Sequence, residues 1–405
     1  MKKNILIISI YYPPIQSIAS NRIYSFAKYL NRDKYNVFVH TIDEGKAFTN
    51  DLKDVSVSRV KNRAFFKPLT FPSRTNKVVH YSKVIYNKIV NKFTKNIYQS
   101  WIDESYELLK LKIKEENIDL ILSSFAPDAS HLVVLRLKKE FPHLKWIADM
   151  RDEMSFSPYI DATTKTYYEA LEQQIFKYAN ALTSVSRPLL CDFSSMCKNE
   201  KVLFGEIRNG YDFSLEEEEL RNKIFTITYT GNFYGDINPI NFFRALELFV
   251  SNNQGVQLKV QLVGVKTHFE IPSTLRELVE VIPPVQHEKA IEFMKQSDAL
   301  LLIYPTNGRK GVYTGKLFEY IGSLTPIIAL IDEEDVASKL IQKVGAGYVS
   351  DNNDIEKIEE LLMLSFTDWK NKKKRKVDLD MIKQHHRYEQ VQRLEYLIDK
   401  ILDEK

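Results

Sequence analysis

The chain has 405 residues, too many for one ordinary domain; at about 100–200 residues per domain, two or three are expected. Its 44% hydrophobic and 27% charged composition, with 13 Gly and 14 Pro, suits packed cores and excludes a disordered or linker-rich chain. A net charge of +4 is too small to imply nucleic-acid binding by itself.

The first apolar run, Asn4–Ile10, stops at Tyr11-Tyr12-Pro13-Pro14. That is too short for a signal h-region, and it reads as the first strand of an α/β domain. No run approaches the ~18 apolar residues of a membrane span. Cys191 and Cys197 fit no zinc, redox or disulfide pattern, which points to a reducing, cytoplasmic setting.

Further strands are expected at Val37–Ile42, Val55–Val60, Asp119–Ser124, Lys145–Asp149 and Ala181–Val185. Helices are expected at Ser17–Leu30, Ala129–Lys139 and Thr164–Tyr178, with another opening at Ser186 and Pro188. In the second half, strands read at Phe225–Gly231, Gln257–Val263, Val281–Ile282, Ala299–Tyr304, Pro326–Leu330 and Gly347–Val349. Helices read at Asp354–Phe366 and Met381–Leu402. Alternating strands and helices predict parallel sheets, hence an α/β fold of Rossmann-like domains.

Between Arg59 and Ser100 there is no acidic residue, while lysines and arginines interleave with Phe65, Phe66, Phe71, Tyr81, Tyr86 and Phe93. Val79, Ile85, Ile89 and Phe93 share one helical stripe. A peripheral surface for an anionic membrane fits this pattern. So does a packed helix pair with a solvated basic face. Nucleic acid is disfavoured, because no recognition motif accompanies the charge.

Chemistry is expected just after strands, because parallel sheets bind ligands at the carboxyl ends of their strands. The richest segment is Gly311–Leu330. A loop with Arg309 and Lys310 leads to a helix start at Thr314 or Gly315, with Lys316 in its first turn and Glu319 on the same face. Free N–H groups and the helix dipole favour an anion there. Cations for phosphate and a carboxylate for sugar hydroxyls suit a nucleotide diphosphate. Ser17 after the first strand, and Gly231 with Asn232 after Phe225–Thr230, are further candidates for contact with it. Asp149, Arg151 and Asp152 follow the strand Lys145–Asp149 and are candidates for the reaction itself, pointing outward from the strand end. His131 reads as a packed or exposed helical residue. Lys370–Lys376 reads as a solvated loop. Asp378-Leu379-Asp380 opens a helix and is not read as a metal site. No metal and no cofactor is expected.

Lys316-Leu-Phe-Glu-Tyr320 resembles the donor segment of retaining GT-B glycosyltransferases of the family-4 type, which build bacterial surface glycans. Ala148-Asp-Met-Arg-Asp152 resembles an Ala-Asp-Phe-Arg-Asp segment found in a subset of them. The resemblance implies two Rossmann-like domains facing across a cleft: residues 1–208 on the acceptor side, 209–377 for the nucleotide sugar, and 378–405 as a helix crossing back. It implies Glu319 on the donor's ribose, Thr314 to Lys316 on its diphosphate, a UDP- or GDP-linked sugar as substrate, and a glycan or lipid-linked acceptor. It further implies retention of configuration and a cytoplasmic place, with peripheral contact at the membrane's inner face as one reading. Three departures stand out. Glycines are missing after the first strand, no Arg or Lys stands between Gly231 and Arg244, and Gly311 sits where the family has a first Glu. They leave open a sugar-nucleotide 2-epimerase using Asp149, Asp152 and Glu288, or a non-catalytic scaffold of the same fold.

Overall fold

The computed structural model describes residues 2–45, 52–63, 96–216, 222–305, 309, 311 and 313–403. Residues 64–95, most of the basic aromatic segment, lie outside these, as does Lys310. Two compact units are present: Met1–Arg208 with Arg387–Lys405, and Asn209–His386.

Unit 1 is built on parallel strands β1 (Lys3–Ile8), β2 (Tyr35–Asp43), β3 (Val55–Lys61), β4 (Leu120–Ser124), β5 (Lys145–Asp149), β6 (Ala181–Ser184) and β7 (Leu203–Glu206). Their order across the sheet is β3-β2-β1-β4-β5-β6-β7. Both faces are covered, as near-continuous apolar strands require. Ile5, Ile7, Val37 and Val39 face one core, and Leu6, Ile8, Ile121 and Trp146 the other. The helices α1 (Ile18–Tyr29), α2 (Gln99–Glu115), α3 (Ala129–Glu140), α4 (Ala162–Tyr178) and α5 (Arg187–Met196) connect the strands. Side-chain caps set three of these starts: Ser17 accepts from the Ser20 N–H, Asp161 from Thr164, and Ser186 from Leu189.

Unit 2 carries β8 (Phe225–Thr230), β9 (Leu258–Val263), β10 (Val279–Ile282), β11 (Ala299–Ile303), β12 (Ile327–Leu330) and β13 (Gly347–Ser350). All are parallel, in the order β10-β9-β8-β11-β12-β13. Its helices are α6 (Ile240–Asn252), α7 (His287–Lys295), α8 (Gly315–Gly322), α9 (Val336–Lys343), α10 (Ile355–Lys370) and α11 (Leu379–Lys383).

The last helix, α12 (Arg387–Asp403), belongs to unit 1. Val391, Leu394, Leu397 and Ile398 enter the core that also holds Ile5 and Val37. Lys34 meets Asp399 at 2.8 Å, and the Tyr35 hydroxyl donates to the same carboxylate.

Three elements differ from the sequence pattern. The run Met381–Leu402 is not one helix but α11 and α12, broken where Tyr211 takes a backbone bond from its N–H to the His385 carbonyl, 3.3 Å, and packs its ring on His386. Helix α2 begins inside the basic segment, and its apolar stripe runs through Trp101, Leu109 and Ile113 at helical spacing. Strand β7 is short and only half-buried, so it leaves no apolar run to read.

Gly322 ends α8, and a Cβ there would meet the Tyr211 ring at 2.5–2.9 Å. Gly322→Ala is expected to destabilise the protein by about 1–3 kcal/mol through overpacking, seen as a lowered thermal midpoint. An unchanged midpoint would mean that the Tyr211 contact yields freely.

Candidate functional site

Each sheet has a point where the chain order reverses: between β1 and β4 in unit 1, and between β8 and β11 in unit 2. Loops leave such points in opposite directions and open a crevice at the carboxyl ends of the strands. Ser17 and the unit 2 candidates follow strands at these points, while Asp149, Arg151 and Asp152 come at the end of β5, one strand further along.

In unit 2, Thr314 caps α8 by accepting from the Leu317 N–H at 3.3 Å. Gly315 and Lys316 then hold the first N–H groups of the helix, which have no partner within it. Lys316 reaches across to the loop after β8. Its Nζ donates to the Tyr229 hydroxyl at 2.7 Å and lies 4.1 Å from the centre of that ring. Gly231 makes this possible. A Cβ there would stand 2.7 Å from Lys316 Cε, and the residue's φ of +104° suits glycine. Burial pushes the Lys316 amine down to about 7, with Glu319 pulling the other way.

Glu319 is nearly enclosed, its side chain 13% exposed, and its Oε1 lies 2.8 Å from His287 Nε2 at the start of α7. Asn232 does not present a free oxygen. Its Oδ1 accepts from the Lys266 N–H at 2.8 Å, the Thr267 N–H at 2.9 Å and the Thr267 hydroxyl at 3.0 Å. It therefore ties the loop after β8 to the loop after β9. Gly311 has φ +82° and donates its N–H to Asp335 Oδ2 at 3.3 Å. The half-buried Arg309 approaches the Tyr304 hydroxyl at 3.5 Å. Lys310 lies outside the described residues.

In unit 1, the expected outward orientation of Asp149 is corrected. Its carboxylate is fully buried, and Arg22 holds it with Nε at 3.0 Å and Nη2 at 2.7 Å. The register sets Ser124 and Thr183 beside it on neighbouring strands, and both hydroxyls donate to it at 2.8 Å. Burial pushes the carboxyl up, but Arg22 and the two hydroxyls outweigh that and hold it below the usual value. Asp149 is thus committed to a buried ion pair with Arg22.

Arg151 bonds the Phe125 carbonyl from Nε at 2.6 Å and the Ala126 carbonyl from Nη2 at 3.2 Å, and it pairs with Asp152 at 3.3 Å. Asp152 keeps a half-exposed side chain. Ser17 spends its hydroxyl on the α1 cap. His131 is fully buried, with Nδ1 at 2.7 Å from the Ser123 hydroxyl, and burial pushes it down to about 4.

The structure therefore joins Gly231, Thr314, Gly315, Lys316 and Glu319 around one helix start, and joins Arg151 with Asp152. Sequence reasoning misses Tyr229, His287 and Arg22. Tyr229 reads as one more strand aromatic, and the other two find their partners 32 and 127 residues away. Among the described residues no three His, Cys, Asp or Glu gather to hold a metal. None of the described helices is long and apolar enough to cross a membrane.

No family model and no curated protein matches the sequence. Solved structures do match over nearly the whole chain. HepE of Anabaena, in complex with UDP, aligns with 13% identity over 99% of this chain and 100% of its own, at TM-score 0.63. Sucrose-phosphate synthase of Thermosynechococcus elongatus aligns with 13% identity over 99% and 96%, at 0.58. A Listeria monocytogenes protein described as a UDP-N-acetylglucosamine 2-epimerase aligns with 11% identity over 100% and 98%, at 0.56. At such identities the likeness is one of fold. The chain has the GT-B fold, with two Rossmann-like domains on parallel sheets.

The buried pair in unit 1 gives a direct test. Asp149→Asn leaves the Arg22 charge buried without a counter-charge and is expected to cost roughly 3–5 kcal/mol in urea unfolding. Adding Arg22→Met to that variant should recover part of the loss. A loss no larger for Asp149→Asn than for a surface change would mean that solvent reaches the pair.

Proposed function

We propose that the protein transfers a glycosyl unit from a UDP- or GDP-linked sugar to a glycan or lipid-linked acceptor, with retention, in cell-surface polysaccharide synthesis. The observation that carries this reading is the placement of Lys316. An ammonium, a helix N-terminus and the Glu319–His287 pair meet where the chain order of unit 2 reverses. The UDP in the HepE structure supports a nucleotide ligand for a chain of this fold.

In this reading the donor diphosphate accepts bonds from the Gly315 and Lys316 N–H groups and from the Lys316 ammonium, with Arg309 and Lys310 adding charge. The ribose hydroxyls donate to Glu319, which His287 orients. Asn232 acts indirectly, by fixing the loop that carries Gly231. Positive groups stabilise the departing diphosphate, and positioning does much of the remaining work. We assign the acceptor to unit 1, with Arg151 and Asp152 at its reacting end, and Asp149 holding the strand ends in place. A cytoplasmic enzyme that touches an anionic membrane through residues 59–101 fits a lipid-linked acceptor. Neither metal nor cofactor is invoked.

The epimerase reading draws on the Listeria neighbour. It needs acid–base carboxylates, and Asp149 is committed to Arg22 while Glu288 is exposed on α7. Incubation with UDP-N-acetylglucosamine and no acceptor separates the two: epimerisation without transfer would sink the transferase. Calorimetry with UDP, GDP and their sugars addresses a non-catalytic scaffold, which would bind none of them.

Glu319→Ala is expected to weaken nucleotide-sugar binding by about 1.5–3 kcal/mol while leaving pyrophosphate affinity nearly unchanged. An equal loss for both ligands would remove Glu319 from the ribose.

Lys316 makes the binding pH-dependent. In the free protein its amine loses its proton as pH rises through about 7. A neighbouring diphosphate favours the protonated form, so binding takes up a proton above that pH. UDP affinity should therefore fall toward about tenfold per pH unit on the alkaline side. Lys316→Gln should flatten the profile, and calorimetry in buffers of different ionisation enthalpy should detect the uptake. Binding without proton uptake at pH 8 would contradict this role.

A further inference from the structure

At the other end of the unit 2 sheet, where β11, β12 and β13 begin, there is a cavity of about 370 Å³. Asp298 and Thr325 line it just ahead of β11 and β12, and Tyr348 lines it from β13. The basic run after α10 closes it with Lys372, Lys373, Lys374 and Arg375, and Lys295 joins from the end of α7. Because the strands are parallel, this end lies across the sheet from Gly231 and Lys316, which follow strand ends.

The lining charges do not cancel. Lys295 pairs with Glu216 at 3.6 Å, and Lys373 with Asp368 at 3.0 Å. Asp298 accepts from the Thr226 N–H at 2.9 Å and from Asn222 Nδ2 at 3.0 Å. Lys372, Lys374 and Arg375 then make no close ion pair among the described residues, although Asp368 attracts Arg375 from further off. Arg375 is half-buried and donates from Nη1 to the Ala346 carbonyl at 2.7 Å. Burial pushes its guanidinium down to about 10, and the attraction of Tyr348 and of Asp368, a carboxylate already paired with Lys373, only partly offsets that loss of water. Lysines after a helix C-terminus also complement its dipole, and α10 ends at Lys370. That accounts for exposed lysines beside the helix end. It does not account for a desolvated guanidinium on the cavity wall.

We propose that this cavity binds a phosphate-bearing group, separate from the donor site, either on a free small molecule or on a lipid headgroup. Guanidinium and ammonium groups are strong phosphate partners, and such contacts are about twice as strong as neutral hydrogen bonds. The charge run Lys370–Lys376, a solvated loop in the sequence reading, thereby gains a role. The inference does not depend on glycosyl transfer.

The test uses the full chain and inorganic pyrophosphate in calorimetry, with phosphatidylglycerol vesicles in co-sedimentation. Pyrophosphate binding that persists in Lys316→Gln, and weakens roughly tenfold in Lys372→Gln/Lys374→Gln with the thermal midpoint kept, supports a free-ligand site. Arg375→Gln should weaken it as well. Vesicle capture that the double variant loses, without pyrophosphate binding, supports a headgroup site. Three results would overturn the proposal. These are no binding of either probe, anion binding unchanged in the double variant, or a lowered midpoint there with anion binding intact. The last would confine the lysines to the end of α10.

Discussion

Both sheets are parallel and covered on both faces, and this constraint orders the rest of the molecule. Ile5 and Ile7 enter one core of unit 1 while Leu6 and Ile8 enter the other, so the strand interior offers little room for charge. Charged groups collect instead where strands end and connections begin. In a parallel sheet all the carboxyl ends share one side, so residues from distant segments converge there. Asp149 with Arg22, and Lys316 with Tyr229, are two products of that geometry, one in each unit.

The two products differ in what the charge has left to do. Arg22 and Asp149 satisfy each other, and Ser124 and Thr183 complete the carboxylate. Removing either partner leaves an uncompensated buried charge, whereas in the intact pair mutual attraction and the two hydroxyls offset the cost of desolvation. Lys316 is in the opposite condition. It has traded water for one hydroxyl and the face of a ring, and its nearest carboxylate, Glu319, is already bonded to His287. Such a cation is stabilised further by any anion that enters. The pull of burial on its proton reports that unfilled demand.

Much of the fold was legible in the sequence, because apolar runs of strand length alternate with helical spacing and the caps Ser17 and Ser186 are local signals. The helix start at Thr314 was legible for the same reason. What could not be read is which charges cancel. Asp149 and Asp152 are the same residue type, three positions apart. Only the register of β4, β5 and β6, together with an arginine 127 residues away, encloses one and leaves the other half-exposed. Gly231 was legible as a glycine after a strand. That it makes room for the Lys316 side chain required the tertiary structure. The break between α11 and α12 was hidden because what marks it is a backbone bond from the distant Tyr211, and backbone bonds leave no trace in composition.

One criterion separates the structural ion pairs from the groups with binding capacity. Lys373 near Asp368 and Arg22 near Asp149 are cations with their counter-charges, and they explain local order. Lys316 and Arg375 are desolvated cations whose contacts are a hydroxyl, a ring or a carbonyl. Evolution could have relieved either by placing a carboxylate within bonding distance, as it did for Lys373. Leaving a partly buried cation in that state costs stability, and an anionic ligand at either end of the sheet would offset that cost, as the two proposals require. At the carboxyl end a helix N-terminus and Glu319 add the groups on which the proposed nucleotide site relies. At the amino end the cations around the cavity outnumber the carboxylates Glu216, Asp298 and Asp368, and no group there selects for more, which is why the ligand class inferred stops at phosphate.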